Sequence, residues 1–244
     1  ETLGAIRNQI KTYAGGNQRF FLTYVPAAPH YPYDRVPEAF HRFKPVAIGD
    51  YTPLYLNELL YMDWVTASIV DQLKESGLLD NTLVVITNDH GEMLGANGGP
   101  IGHGWAITPE LANAPLIIMD PQSHGHHLNY TLGSQIDLLP TLLDLLKISV
   151  PAEQLYEGRS LYAPEAGDQR LIYLNSYEQY GVISRNRFVS GDRKADEGGA
   201  SSSPRTAYAI SNQGSKTIFT AVDAAEEPPV SIRPFDEFQE NLLR

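Results

Sequence analysis

Cysteine is absent from all 244 residues. That excludes disulfides, thiolate metal sites and a cysteine nucleophile together, and it leaves the redox compartment open, because a cysteine-free chain suits the cytosol and the periplasm equally. Basic residues are scarce: 18 Lys and Arg stand against 29 Asp and Glu, for a net charge of -11. Such a balance repels a polyanion, so nucleic acid is excluded as a partner class. No apolar run nears the roughly 20 residues that a membrane-spanning helix needs, and no signal-peptide pattern opens the given sequence. No Met precedes Glu1, and the first residues already read as a helix, as expected for a piece of something longer. What is present is ordinary for a globular chain. Hydrophobic content of 42% and charged content of 19% allow a sizeable core, in one large domain or two small ones.

Apolar periodicity places the elements. Leu3, Ile6, Ile10 and Tyr13 share one face of a first helix, closed by glycines. "RFFLTYV" (Arg19 to Val25) has the pattern of a buried strand and runs into the proline-rich "PAAPHYPYD", which holds His30. Tyr55 to Ser76 reads as a long helix stopped by Gly77. "TLVVIT" is a second buried strand, "GANGGPIGHG" a loop, and "APLIIMD" (Ala114 to Asp120) a third strand. Ser134 to Lys147 contains another helix, with Pro140 in its first turn and Asp137 near its start. Strand, helix, strand, loop, strand, helix is the grammar of an α/β fold with a largely parallel or mixed sheet flanked by helices. Ligands bind such sheets beyond the carboxyl ends of the strands. From Pro151 the pattern changes to short alternating strands, predicting a small antiparallel β subdomain over 151–244 after an α/β domain over 1–150. "DRKADEGGASSSPR" (Asp192 to Arg205) interrupts it as a loop.

The chemistry concentrates in "LVVITNDHGEMLG". Here an apolar strand ends on Asp89 and His90 before Gly91. At a strand-to-loop turn, adjacent residues can converge on one ion, and Gly91 permits the turn by accepting dihedrals that a β-carbon would forbid. Carboxylate plus imidazole suits Zn²⁺ or Mn²⁺, and the carboxylate also suits Mg²⁺ or Ca²⁺. The competing reading is a capping Asp beside a surface His. His103 in "GHG" lies between two glycines that let a backbone approach a ligand, and His30 follows a strand exit. The run "SHGHHL" (Ser123 to Leu128) reads as an exposed loop, not a metal cluster.

These residues carry a resemblance. "FFLTYVPAAPHYPYD", "GLLDNTLVVITNDHGEMLG", "GHG", "APLIIMDP" and "SQIDLLPTLLDLLKI" stand in an order that resembles the C-terminal part of the sulfatase family, within the alkaline phosphatase superfamily. The resemblance covers roughly Arg19 to Tyr162; the ending "FDEFQENLL" is only faintly similar to the family's tail. It implies an alkaline phosphatase-like fold and a divalent metal held by Asp89 and His90. Many sulfatases have Asp-Asn there and favour Ca²⁺. The Asp-His form is similar to phosphonate monoester hydrolases, lipoteichoic acid synthases and phosphoethanolamine transferases, which favour Mn²⁺ or Zn²⁺. His30 then binds the transferred anionic group. His103 matches the glycine-flanked histidine of the phosphoethanolamine transferases, which implies that it binds substrate and acts catalytically near the leaving group or a second metal. Ordinary sulfatases tend to place a lysine in that region, and none stands between Asn81 and Pro121.

The family's nucleophile motifs, "C-x-P-x-R" and "S-x-P-x-R", do not occur in the chain. The resemblance therefore implies a hydrolase of sulfate or phosphate esters seen as a C-terminal fragment, inactive alone. Two alternatives remain: a membrane-anchored transferase of phosphoethanolamine or phosphoglycerol onto envelope glycans or lipids, attached to the membrane only through an upstream segment, and a non-catalytic binding domain. The expected partner is a small anionic ester or a glycan- or lipid-linked substrate. A homodimer is a further expectation, as is a location on the extracytoplasmic side of a membrane.

Overall fold

A computed structural model describes residues 2–16, 18–47, 49–95, 100–151, 157–163, 170–192, 205–214 and 216–224. The chain divides into two compact units, one of residues 1–87, 92–102 and 116–124 and one of residues 88–91, 103–115 and 125–244.

In the first unit, helix α1 (Thr2–Gly15) buries Ile6 and Ile10, the apolar face that the periodicity predicts. Helix α2 (Thr52–Glu75) brings Leu73 to the same cluster, and Phe20, Tyr24, Ile69 and Val84 pack around it. Full burial of such side chains stabilises by roughly 1.5–3 kcal/mol each. Gly77, at φ 66°, ends α2 as expected. Its N–H donates to Lys74 and the next N–H, of Leu78, donates back to Leu73, closing the last carbonyls. Strand β1 (Val84–Thr87) pairs antiparallel with β4 (Leu116–Met119), Val84 opposite Met119. The two-residue strands β2 (Met93–Leu94) and β3 (Ile101–Gly102) form a small antiparallel hairpin.

In the second unit, Thr108 caps the short helix α3 (Pro109–Ala112). A one-turn 3-10 segment then leads into α4 (Leu138–Leu145). The expected antiparallel strands form a five-stranded meander: β5 (Ile172–Asn175), β6 (Gln179–Ile183), β7 (Arg187–Asp192), β8 (Arg205–Gln213) and β9 (Lys216–Val222), paired in chain order. Its core is Ile107, Ile172, Ile183 and Phe188.

Three expectations need correction. Every strand pairing among the described residues is antiparallel, so the predicted largely parallel or mixed sheet is not the arrangement found. The parallel reading required Arg19–Val25 to pair across α2 as a crossover, and that segment has no ladder partner among the described residues. Only Phe20 and Tyr24 pack inward, while Phe21 and Val25 are 84% and 83% exposed. An apolar run registers burial propensity but not whether a backbone partner exists. Second, β1 is half-buried rather than fully buried, because its sheet has two strands. Third, the "GANGGPIGHG" loop contains β3, while residues 96–99 lie outside the described set, as do most of the predicted loop from Asp192 to Arg205 and the "FDEFQENLL" tail.

Candidate functional site

Asp89 and His90 leave β1 side by side in the second unit. Backbone bonds hold their turn. The Asn88 side-chain amide donates to the His90 carbonyl at 2.6 Å, and the Gln135 amide donates to the Asp89 carbonyl. The His90 N–H donates to Asp89 Oδ1 at 3.0 Å, which aims that carboxylate back along the turn. His90 Nδ1 lies 2.7 Å from the Gly91 carbonyl. A carbonyl can only accept, so Nδ1 is the donor, and in the neutral form of the ring the lone pair is on Nε2. Nε2 stands 3.6 Å from Asp89 Oδ2. Two ligands at roughly 2.0–2.1 Å from one ion and a tetrahedral angle apart are about 3.4 Å from each other. The pair therefore fits two corners of a metal site. It equally fits an ion pair when the imidazole is protonated. The Asp89 side chain is 86% exposed and that of His90 39%, so the open corners face outward. Among the described residues no third His, Asp or Glu joins them to make a ligand cluster.

Gly91 matters for a reason other than the one its sequence position suggests. Its φ is not in the left-handed region; instead its N–H donates to the Leu111 carbonyl at 2.9 Å, and a β-carbon there would fall 1.8 Å from the Glu110 carbonyl oxygen. The glycine permits close approach of two backbones, not a special turn. Gly102 and Gly104 do take left-handed φ, both at 93°, on either side of His103. The His103 ring lies against the His90 ring, with centroids 4.1 Å apart. The Gly104 carbonyl accepts from the Tyr177 N–H, anchoring that turn on the meander side.

His30 belongs to the first unit. Its Nδ1 lies 2.8 Å from the Tyr31 carbonyl, the same arrangement as at His90. Its loop hangs on α2. Glu58, fully buried, accepts the His30 N–H on one carboxylate oxygen at 3.1 Å and the Arg35 N–H on the other at 2.9 Å. Its neighbour Asn57 accepts the N–H groups of Arg42 and Phe43 and donates to the Phe43 carbonyl, all at 2.9 Å. Between these anchors sits Tyr33, buried, at φ 62°. Its phenol pKa is raised well above the usual 10, chiefly by burial and next by the Glu92 carboxylate. Tyr55 is raised by the same two causes in the same order.

Sequence reasoning passed over Gln135, Asn57 and Glu58. A polar residue on a helix face otherwise read for its apolar spacing gives no periodic signal, and the one available hint was two adjacent amide and acid groups among leucines. Asp137, read as a helix-start residue, forms a capping box with Ser134. It is fully buried, takes the Arg159 N–H and pairs with Arg170.

The model for the family described as Sulfatase matches residues 4–148, more than half of the chain. Among curated relatives, an uncharacterized sulfatase YidJ of Escherichia coli K12 is 32% identical over 138 residues, 55% of this chain and 27% of that protein. Lipoteichoic acid synthase 1 of Bacillus subtilis is 30% identical over 141 residues, 52% of this chain and 21% of that protein. The chain thus spans roughly a quarter of the length of these relatives. Of solved structures, an alkaline phosphatase superfamily protein from Vibrio parahaemolyticus superposes with a TM-score of 0.57 at 18% identity, covering 91% of this chain and 49% of that one. A phosphonate monoester hydrolase from Silicibacter pomeroyi gives 0.53 at 22%, covering 80% and 40%. The expected placement as a C-terminal part is corrected by the family match, which falls on the N-terminal part of this chain. That placement rested on the order of five motifs together with the missing nucleophile motif.

Proposed function

The chain belongs to the sulfatase family, and on that premise we propose that it serves a metal-dependent hydrolase of sulfate or phosphate esters. The observation that supports this most is the 3.6 Å approach of His90 Nε2 to Asp89 Oδ2 at an exposed strand exit. Asp89 and His90 would hold a divalent ion, Mn²⁺ or Zn²⁺ ahead of Ca²⁺ or Mg²⁺, since imidazole is the softer ligand. Such an ion draws charge from a sulfuryl or phosphoryl oxygen. His103, ring against ring with His90, donates to the leaving oxygen. To His30, whose Nδ1 faces the Tyr31 carbonyl, this reading assigns binding of the transferred anionic group. Gln135 and Asn88 fix the Asp89–His90 backbone, so that both ligands are oriented before an ion arrives.

A second reading is a transferase that moves a phosphorylated group onto an envelope glycan or lipid. It draws on the likeness to lipoteichoic acid synthase 1 and on the glycine-flanked His103. The substrate in either reading is a small anionic ester or a glycan- or lipid-linked one, handled on the extracytoplasmic side of a membrane.

The chain contains no nucleophile motif of the family, and among the described residues two side chains do not complete a metal shell, so weak metal binding and no turnover are the expected outcome for the 244 residues alone. The test is calorimetric titration with Mn²⁺, Zn²⁺ and Ca²⁺, together with assays on an aryl sulfate, a phosphate monoester and a phosphodiester. Weak Mn²⁺ or Zn²⁺ binding that Asp89→Ala and His90→Ala each abolish supports the metal pair. Binding untouched by both variants sinks it. Metal-dependent turnover lost in Asp89→Ala would instead place a nucleophile inside the chain.

A further inference from the structure

His103 stands in a stretch that does not fix itself. Residues 103–108, between β3 and α3, form neither helix nor strand. Gly102 and Gly104, on either side of the histidine, both take φ 93°, and a glycine reaches many other conformations at little steric cost. On its own backbone the loop would carry the imidazole through a wide range of positions. Yet the His103 ring lies 4.1 Å from the His90 ring, centroid to centroid. The order that this contact needs comes from outside the loop.

The turn between β5 and β6 supplies it, within the second unit. From Ser176 to Gln179, three groups bind the backbone of Gly104, Trp105 and Ile107. The Tyr177 N–H donates to the Gly104 carbonyl at 3.0 Å. The Ser176 hydroxyl donates to the Trp105 carbonyl at 3.3 Å, a proton it shares with the Gln179 carbonyl at the same distance. The Ile107 N–H donates to Gln179 Oε1 at 2.8 Å. This third bond is the shortest, and its acceptor is itself held. Gln179 Nε2 donates to Asp192 Oδ1 at 3.0 Å, and Asp192 is the residue directly opposite on β7. An ionised carboxylate can only accept, so Asp192 keeps the amide turned with its oxygen toward Ile107. Packing completes the grip. Ile107 is buried with Ile172, Ile183 and Phe188, and Leu174 packs beside them. Gly181 leaves room for it, since a β-carbon there would fall 2.7 Å from Ile107 Cγ2.

We infer that Gln179 is the positioning residue of His103. By taking the Ile107 N–H, it docks the 103–107 loop on the β5–β6 turn and so sets the His103 ring against His90. This goes beyond the ester-hydrolase reading and rests on it only for the role of His103. It also gives the C-terminal meander a task in the site, because the part of the chain that orders the histidine is remote from it in sequence.

The test uses the whole chain in the presence of EDTA, so that no metal takes part. Gln179→Ala leaves the Ile107 N–H without its acceptor. The Tyr177 amide, bonded to Gly104 and not to Gln179, should then exchange its hydrogen about tenfold faster, the scale of one lost buried hydrogen bond. Relaxation dispersion on the His103 ring carbons should grow, as more molecules visit undocked positions of the loop. The amides of Phe188 and Val189 in β7 should exchange as in wild type. Glu178→Ala, one residue away with an exposed side chain, should change neither reading. Gln179→Glu keeps an acceptor but sets a second carboxylate against Asp192, and should loosen the loop as well. Adding Asp192→Asn reverses donor and acceptor along that bond and should restore both readings. Wild-type exchange at Tyr177 in Gln179→Ala, an equal rise at Phe188 and Val189, or a double variant no better than Gln179→Glu overturns the inference. Failure of the ester-hydrolase reading shows separately, as metal titrations indifferent to Asp89→Ala while the dependence of the loop on Gln179 stands.

Discussion

At the scale of single residues, the site depends on contacts that a composition cannot report. Gly91 is the sharpest case. A methyl group added there meets the Glu110 carbonyl oxygen at 1.8 Å and its carbon at 2.8 Å, and neither is the end of a flexible side chain. One backbone must move, and the Gly91–Leu111 hydrogen bond moves with it. Gly91→Ala should therefore destabilise by about 1–3 kcal/mol, the usual cost of overpacking, and weaken metal binding through His90. Urea denaturation paired with a Zn²⁺ titration reads both; wild-type stability in the variant would mean that the two backbones are not as close as described. Tyr33 provides a pH test. Its folded pKa is raised above 10 by burial first and Glu92 second. The stability tied to its proton is complete below pH 10 and is lost as pH rises through the folded value. Thermal melts should thus fall in the alkaline range, and Tyr33→Phe, which has no proton to lose, should flatten that fall. Equal alkaline loss in both proteins would show that other groups control it.

At the scale of elements, legibility tracked how each element is stabilised. Helix α1 and the meander β5–β9 were legible, because their apolar residues repeat at the helical and strand periods and they meet their partners within the same stretch of chain. Asp89 and His90 stand out by their types at a strand exit, and their approach to one another follows from adjacency; their service as metal ligands is the proposal, not a reading. The polar buried face of α2, with Asn57, Glu58, Ser68 and Gln72, was not legible, since a period count scores those positions as solvent-facing. Nor was the sheet order, because the apolar run Arg19–Val25 says nothing about a ladder. The start of α4 falls between these cases. "SQID" announces a cap, but only the folded chain shows Asp137 fully buried, accepting the Ser134 and Arg159 N–H groups and pairing with Arg170, just before β5. Asp137→Ala removes one partner from a buried ion pair and strands a guanidinium. About 3–5 kcal/mol of lost stability is the expected cost, read by thermal or urea denaturation. A loss below 1 kcal/mol would mean that water reaches Arg170 freely enough to replace the carboxylate.

At the scale of the whole molecule, the first unit leaves apolar surface uncovered. Its main sheet has two strands, β1 and β4, and neither outer edge has a ladder partner among the described residues. Leu116 and Ile117 on β4 are exposed, as are Phe21 and Val25 on the extended segment before His30. A two-stranded sheet is marginal in water without further cover, and open edges with apolar side chains recruit other chains. The second unit spreads its meander over five paired strands packed on Ile107, Ile172, Ile183 and Phe188, which covers more of its apolar surface. The 244-residue chain should therefore self-associate through the first unit, in a concentration-dependent way, by burying its β4 surface against a second copy. Sedimentation velocity over a dilution series should show dimer giving way to monomer. Ile117→Lys places a charge on that surface, where desolvating an ammonium opposes association, and should shift the series toward monomer without lowering the unfolding midpoint. A chain that stays monomeric at every concentration, or an Ile117→Lys variant that associates as wild type does, would show that this surface is not the one that recruits partners.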